Sequence, residues 1–324
     1  MSSVQQLDVP EHDDGQRLDR WFKRLFPHIA HGKVEKLLRT GQIRVDGKRA
    51  KGSVRLETGQ TVRIPPLPDP TEVKAETSKR DRSRLFDMVI YEDKDLIAID
   101  KPAGLAVQGG TKTVEHIDGM LPDGFRLVHR LDRDTSGVLL IAKSAKAAKW
   151  AGRAFQSRQA EKIYWGVTNG VPRPLSGEIA GYMAKGHLDN RFGNIHEGKE
   201  VMMAVRHGTP NAKHARTLYE VVATAAAKAA FVSMMPLTGR THQLRLHMQI
   251  LGAPLAGDPK YMTDRPLPGG LDKCLHLHAR SLTIPRDGQP ELSITAPLPK
   301  HMKSAFELFG FMESEAQVDW DALR

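Results

Sequence analysis

Between two runs of strand-forming residues, Phe125–Val128 and Val138–Ala142, lies the polar stretch His129-Arg130-Leu131-Asp132-Arg133-Asp134-Thr135-Ser136-Gly137. Two carboxylates and two guanidiniums fall within the five residues 130 to 134. Charges that close perturb one another's ionisation, and flanking strands would fix the backbone while leaving the loop open to a substrate. A carboxylate held in this way can act as a nucleophile or abstract a proton. Taken alone, the same Asp, Thr, Ser and Gly are turn formers, so the rest of the chain has to decide.

A second group of reactive types is Cys274, His276 and His278. They alternate as on one face of a strand, and a Cys-x-His-x-His ligand set is conceivable. Successive same-face side chains on one strand rarely converge on a single tetrahedral ion, so core packing is the favoured reading. His242 and His247, five apart on a helix, do not share a face.

The elements that must position the polar loop read as follows. Met88–Tyr91, a turn at Glu92–Asp95 and Leu96–Ile99 form a hairpin leading into Lys101-Pro102-Ala103-Gly104-Leu105. Ser144 caps a helix through Ala147, Ala148, Ala151, Ala154 and Phe155. Ile163–Val167, Thr217–Ala223 and Ala230–Met235 are strands, and Thr241–Leu251 is a helix stopped by Gly252. The stretch from Pro172 to His214 is too interrupted by glycines and charges to be placed. The mixture predicts an α+β domain on a large mixed, mainly antiparallel sheet over residues 85–324.

The N-terminal part has a different character. Of the net charge of +10, a surplus of +9 sits between Arg17 and Arg55, where twelve Lys and Arg face three acids. Charge so concentrated is the footprint of a nucleic-acid-binding module. Leu18, Trp21, Phe22 and Leu25 recur at helical spacing, and Val34, Leu37 and Leu38 begin a second helix. Ile43-Arg44-Val45, an Asp46-Gly47 turn and Lys48-Arg49 read as a hairpin, followed by a strand over 59–64. Pro65, Pro66, Pro68 and Pro70, then the charged run Glu76 to Arg84, predict a semi-extended tether over 65–84.

The string His129 to Gly137 resembles the HRLDxxTSG signature of the RluA-type pseudouridine synthases at all seven specified positions. Four further segments resemble the same family in chain order: Lys101–Gly110, with Gln108 where many relatives carry His; Glu161-Lys162-Ile163-Tyr164; Leu237–His247; and Leu251–Asp258 followed by Leu275–Ala279. The wording of residues 1–64 resembles an S4-type RNA-binding domain. The attached domain and the Arg133 spelling are most similar to the large-subunit ribosomal RNA enzymes of the RluC kind.

The resemblance implies isomerisation of uridine to pseudouridine in structured RNA. It makes Asp132 the catalytic carboxylate, with Asp134 at a variable position, Arg245 the cation that keeps Asp132 ionised, and Tyr164 the face on which an extruded uracil stacks. Arg130, Arg240 and Leu246 are then expected against the substrate, with Leu251 an alternative to Leu246. Arg17, Lys33, Lys36, Arg39, Arg44, Lys48 and Arg49 are expected against RNA. The isomerisation changes no oxidation state, so neither cofactor nor metal is expected. The alternatives are a transfer-RNA synthase and a non-catalytic RNA-binding or ribosome-assembly factor; a pure binder has no use for Asp132, Tyr164 and Arg245 together.

Composition bounds the remainder. The hydrophobic and charged fractions are those of a soluble globular protein, and the single cysteine excludes an internal disulfide framework. No apolar run approaches a membrane span, and the acidic N-terminus lacks the core of a signal peptide. A cytoplasmic monomer acting on RNA is the expectation.

Overall fold

In the computed structural model of the chain, the described residues are 4–29, 31–67, 79–109, 115–187, 200–286 and 288–324. They form two units, residues 1–84 with 108–121 and residues 85–107 with 122–324.

The first unit contains β1 (Gln5–Asp8), α1 (Leu18–Leu25), α2 (His31–Arg39), β2 (Arg44–Val45), β3 (Lys48–Arg49) and β4 (Thr61–Ile64), with strand order β1-β4-β2-β3. The hairpin closes through Asp46 and Gly47 at φ +49° and +75°, the left-handed pair that a two-residue turn requires. Leu18, Trp21 and Phe22 of α1 and Val34, Leu37 and Leu38 of α2 share one core with Ile43, Leu56, Val62 and Ile64. Leu25, grouped with that face by spacing, is instead 42% exposed at the helix end. The acidic leader also contributes: β1 pairs with β4, and buried Asp13 accepts from the Trp21 indole at 2.9 Å and from Arg24. The Arg24 guanidinium holds that carboxyl below its ordinary pKa.

Lys79–Asp87 is a helix, α3, in place of the extended tether expected up to Arg84. Arg and Lys are good helix formers and no Pro or Gly interrupts them, so charge alone does not keep the backbone extended. Leu85 in its last turn is fully buried. Residues 68–78, the remainder of the expected tether, lie outside the described residues. A short helix, α4 (Ile117–Met120), lies further along the chain.

Among the described residues, the second unit is built on eleven strands: β5 (Val89–Glu92), β6 (Leu96–Lys101), β7 (Arg126–Leu127), β8 (Ser136–Ala142), β9 (Glu161–Asn169), β10 (Ser176–His187), β11 (Glu200–Val205), β12 (Lys213–Ala225), β13 (Ala229–Pro236), β14 (Leu277–Arg286) and β15 (Gln289–Thr295). Its helices are α5 (Ala145–Gln156), α6 (Gln243–Ile250) and α7 (Lys300–Phe309). The sheet runs β11-β10-β12-β13-β9-β14-β8-β6-β5, with β15 on β14 and β7 on β8. Among the described residues every pairing in it is antiparallel except β8 with β14. This is the mixed, mainly antiparallel α+β architecture that the sequence predicts.

The parallel pair matters for the site. Ser136 and Gly137 lie opposite His278 and Ala279, while Tyr164 of β9 lies opposite Ala279 on the other side. Gly137 has φ +107°, and a Cβ there would sit 2.2 Å from the Ala279 carbonyl oxygen, so no other residue fits between these strands. β10 and β11 lie within the stretch that periodicity does not place; β10 is interrupted by Gly177, Gly181 and Gly186 yet pairs with β11 and β12 in continuous register. Neighbouring strands supply there what local pattern does not. α5 is capped by Ser144, whose hydroxyl accepts from the Ala147 amide at 3.2 Å. It turns Ala147 and Ala151 onto Leu140 and Leu282, small side chains that let helix and sheet approach closely.

Candidate active site

The loop between β7 and β8 is held from three directions. Ser136 Oγ meets His278 Nδ1 at 2.9 Å, tying the loop's end to β14. His129 accepts the Leu140 amide at 2.9 Å through Nε2 and stacks on Phe155 of α5 at 4.5 Å between centroids. Burial drops the His129 pKa to about 3, so the ring stays neutral and serves as scaffold. From a third side, the Lys101 ammonium donates to the carbonyls of Pro102, Leu105 and Arg133 at 2.8, 2.9 and 2.9 Å. That ammonium is fully buried, and desolvation brings its pKa down to about 7.

Held this way, Asp132 faces a cavity of about 630 Å³. Its walls come from the polar loop, the end of α5, Lys162 and Tyr164 on β9, Pro236 at the end of β13 and residues 237–242 after it, the first turn of α6, and Leu277 on β14. The structure thus brings Asp132, Tyr164, Arg245, Arg130 and Arg240 to one cavity, although they are spread over more than a hundred residues of sequence. Leu246 is not part of that wall. One residue on from Arg245 on α6, it is turned by about 100° and packs with Met183, Val201, Met202, Ala215 and Tyr261. Leu251, its alternative, packs against a different part of the core.

Electrostatics of the centre rest on Arg245, which is only 2% exposed. Its Nε and Nη2 donate to the two oxygens of Asp258, both at 2.7 Å, and its Nη1 lies 3.5 Å from Asp132 Oδ2. A bidentate pair leaves the guanidinium no freedom to rotate, so the remaining nitrogen is aimed at Asp132. Asp258 in turn accepts from the Lys260 and Tyr261 amides at 2.8 and 3.1 Å. Burial pushes the Asp132 carboxyl above its ordinary value, and Arg245 opposes that shift. The cation therefore works in the expected direction but against a larger desolvation effect.

His242 is also close, with Nε2 4.0 Å from Asp132 Oδ2 and Nδ1 3.0 Å from the Tyr261 hydroxyl. Burial, then the nearby Arg245, lowers its pKa to about 3, so it adds a neutral ring and no charge. Burial and then Asp132 raise the Tyr164 phenol, which is consequently a proton donor and not a base near neutral pH. Arg240 is steadied by a 3.1 Å bond from Nε to the His214 carbonyl. Gln243 locks the turn before α6 by accepting from Thr238 Oγ1 and the Arg240 amide and donating to Thr217 and Arg216. Asp134 pairs with Arg133 at 3.0 Å.

Residue type alone does not single out Asp258, Tyr261, His242 or Lys101. Asp258 and Lys101 do lie in segments that resemble the family, but an acid and a lysine in loops carry no signal of the partner they will meet. His276 and His278 are engaged separately: His276 Nδ1 contacts the Cys274 and Ala256 carbonyls at 2.9 and 3.2 Å, and His278 contacts Ser136.

In the first unit, Lys33, Lys36, Arg39, Lys48 and Arg49 are exposed. Arg17 forms an ion pair with Asp19 at 2.5 Å, and Arg44 donates to the Gly41 and Gly47 carbonyls, each at 3.0 Å. These two guanidiniums have roles in holding the unit together.

Residues 95–250 match the RNA pseudouridylate synthase family. A ribosomal large subunit pseudouridine synthase C from Rickettsia bellii is 36% identical over 80% of this chain and 87% of its own. The chain belongs to the RluA family of pseudouridine synthases. The protein of the same name from Vibrio vulnificus is 33% identical over 80% of this synthase and 81% of its own length. Among solved structures, human RNA pseudouridylate synthase domain containing 4 superposes with a TM-score of 0.58 at 30% identity, covering 71% of this synthase and 95% of that chain. The protein is therefore an RNA pseudouridine synthase. Among the described residues, no helix is long and apolar enough to cross a membrane.

Proposed function

We propose that this synthase converts specific uridines of large-subunit ribosomal RNA to pseudouridine, as a cytoplasmic monomer, with Asp132 as the catalytic carboxylate. The observation that carries the reading is the juxtaposition of Asp132 with the Arg245–Asp258 pair at the wall of a cavity roomy enough for a nucleotide. The relatives' printed substrate supports the choice of RNA. In this reading a uridine leaves the RNA stack and rests on Tyr164, whose aromatic face offsets part of the unstacking cost. Asp132 attacks or deprotonates the sugar, and both routes require its ionised form. The glycosidic C1′–N1 bond breaks, the base turns, and C1′ joins C5. As C1′ joins C5, Asp132 is released from the sugar or returns the proton it took. C5 then loses its proton while N1 gains one, so the isomerisation is proton-neutral, and the Tyr164 hydroxyl is suited to donate toward N1. Arg130, exposed at the rim, occupies space the base has left or contacts the backbone. Mapping pseudouridines in ribosomal and transfer RNA from cells with and without the gene tests the assignment; sites lost only from transfer RNA would overturn it.

We further propose that residues 1–64 are an S4-type RNA-binding domain joined through 65–84 to the catalytic domain, 85–324. Lys33, Lys36 and Arg39 recur every three residues on α2, so they share one side of it. Replacing all three by Gln in the full chain should weaken RNA binding at low salt. The slope of log K against log salt should flatten by roughly 0.7 to 0.9 for each phosphate that the altered helix no longer neutralises. An unchanged slope would mean that this side of α2 does not meet RNA.

Chelation should leave turnover on pre-folded RNA unchanged, because among the described residues no three His, Cys, Asp or Glu side chains are grouped to hold a metal ion, Cys274, His276 and His278 included. Loss of activity restored by zinc alone would revive a metal role for that group.

A further inference from the structure

The cavity carries more positive charge than its one wall carboxylate needs. Arg130, Arg158, Lys162, Arg240 and Arg245 line it, and among the described lining residues Asp132 is the only acid. Arg245 is engaged by Asp258 and Asp132, and Arg240 by the His214 carbonyl. Lys162 and Arg158 are different: among the described residues neither side chain makes a hydrogen bond or an ion pair. Lys162 is half-buried. The titratable group it acts on is His129, a ring that burial keeps neutral, and burial alone lowers the lysine's own pKa. A half-buried ammonium with no acid beside it is costly unless an anion arrives with a ligand.

Placement says which part of a ligand this would be. Lys162 and Tyr164 are two apart on β9, so the pleat turns both to the cavity while Ile163 and Trp165 face the other side of the sheet. Two residues along a strand span roughly 6.5 Å, a distance comparable to that between a nucleotide's base and its phosphate. Arg158 follows α5 in a left-handed turn, φ +62°, and also lines the cavity. Phe155 at the end of α5 stacks on His129, the ring that feels the Lys162 charge, which links the end of α5 to Lys162.

We propose that Lys162 and Arg158 form a phosphate subsite that grips the RNA backbone next to the uridine seated on Tyr164. The inference rests on the proposed placement of that uridine. The subsite fixes the flipped nucleotide by its charged end, so that the sugar carbon is presented to Asp132 and not merely the base to Tyr164. Its contribution is to binding and position, not to the bond-breaking step.

The test uses the full chain and a synthetic RNA spanning a uridine that the unaltered chain converts, made with either an ordinary linkage or a single neutral methylphosphonate beside that uridine. Lys162→Gln should raise KM about tenfold on ordinary RNA, since a hydrogen bond to a charged group is worth about that factor, with a much smaller change in kcat. Lys162→Arg should restore most of the loss. The neutral linkage, on the 5′ or the 3′ side, should raise KM about tenfold for the unaltered chain and less than about twofold for Lys162→Gln. Arg158→Gln, at an exposed position, should show the same pattern more weakly and guards against a folding defect in the first variant. Equal penalties from the neutral linkage in the unaltered chain and in both variants would overturn the subsite while leaving the isomerase reading intact. Failure of the unaltered chain to convert any uridine in ribosomal RNA would overturn that reading and the subsite with it.

Discussion

Asp132→Asn should lower pseudouridine formation by more than about a hundredfold, the scale on which removing a positioned acid–base or nucleophilic group acts. RNA affinity should stay within a few-fold of the parent. The amide keeps the shape of the carboxylate and its place beside Arg245 but cannot attack or take a proton. Stability should move the other way. Burial raises this carboxyl's pKa in the folded protein, so above the ordinary carboxylate range the folded state holds the ionised group less readily than the unfolded chain does. The Asn variant should therefore melt at the same or a higher temperature near pH 7, and the difference should fade as pH falls from the raised folded value toward the ordinary 3.8, below which both states are protonated. Tritium release from labelled uridine RNA and thermal melts across pH measure both. Residual activity within about tenfold of the parent would move the catalytic role to another group, with Asp134 the nearest carboxylate in the loop.

Arg245→Met should be comparably damaging and should cost more activity than Arg130→Met or Arg240→Met. Two separate effects are expected. Removing the guanidinium leaves Asp258 as a buried carboxylate without its partner, which destabilises by about 3–5 kcal/mol in comparable pairs. It also removes the cation opposing the desolvation of Asp132, so that carboxyl's pKa rises further. Because the ionised form is the active one, the acid limb of kcat/KM should shift to higher pH. Arg245→Lys keeps a charge but not the two-pronged grip on Asp258, so it should fold better than the Met variant and show a smaller shift. A folded variant with an unaltered pH profile and only weaker RNA binding would make Arg245 a backbone contact. Asp258→Asn provides an independent check: it loosens Arg245 without touching the cavity wall, so it should also displace the pH profile.

What is readable in the chain follows the range of the forces involved. The amphipathic helices of the first unit, the Asp46-Gly47 hairpin, the Ser144 cap and the strands around the polar loop are encoded within a few residues, and they appear where pattern places them. β10 is not encoded that way, because glycines break its alternation, and with β11 it is defined by its pairing partners. At α3 the charge density suggests an extended chain, whereas helix propensity and the burial of Leu85 decide. At the site, Asp132, Tyr164 and Arg245 stand out because whole segments resemble a family. Placing Leu246 in the cavity disregards the turn of the helix, which sends that side chain into the core. Asp258 and Lys101 are not recognisable as partners of the centre, since their significance lies in contacts across the fold and not in their own neighbourhood.

The insertion of β14 between β8 and β9 has a consequence for the life of the molecule before it is finished. Within the sheet, β8 with its Asp132 loop and β9 with Tyr164 are hydrogen-bonded to different neighbours, and β14 is the strand that bonds to both. The contact that closes the loop, Ser136 to His278, joins residues 142 apart. During synthesis, carboxylate and aromatic face thus emerge long before the segment that aligns them, and the Ser136–Gly137 end of β8 lacks its β14 partner until then. Closure over so long a span is slow compared with local folding. A nascent chain ending before residue 277 should therefore be able to bind RNA through its early basic module while lacking an assembled catalytic centre. Competence is acquired late and all at once, when one strand zips two partial sheets into one.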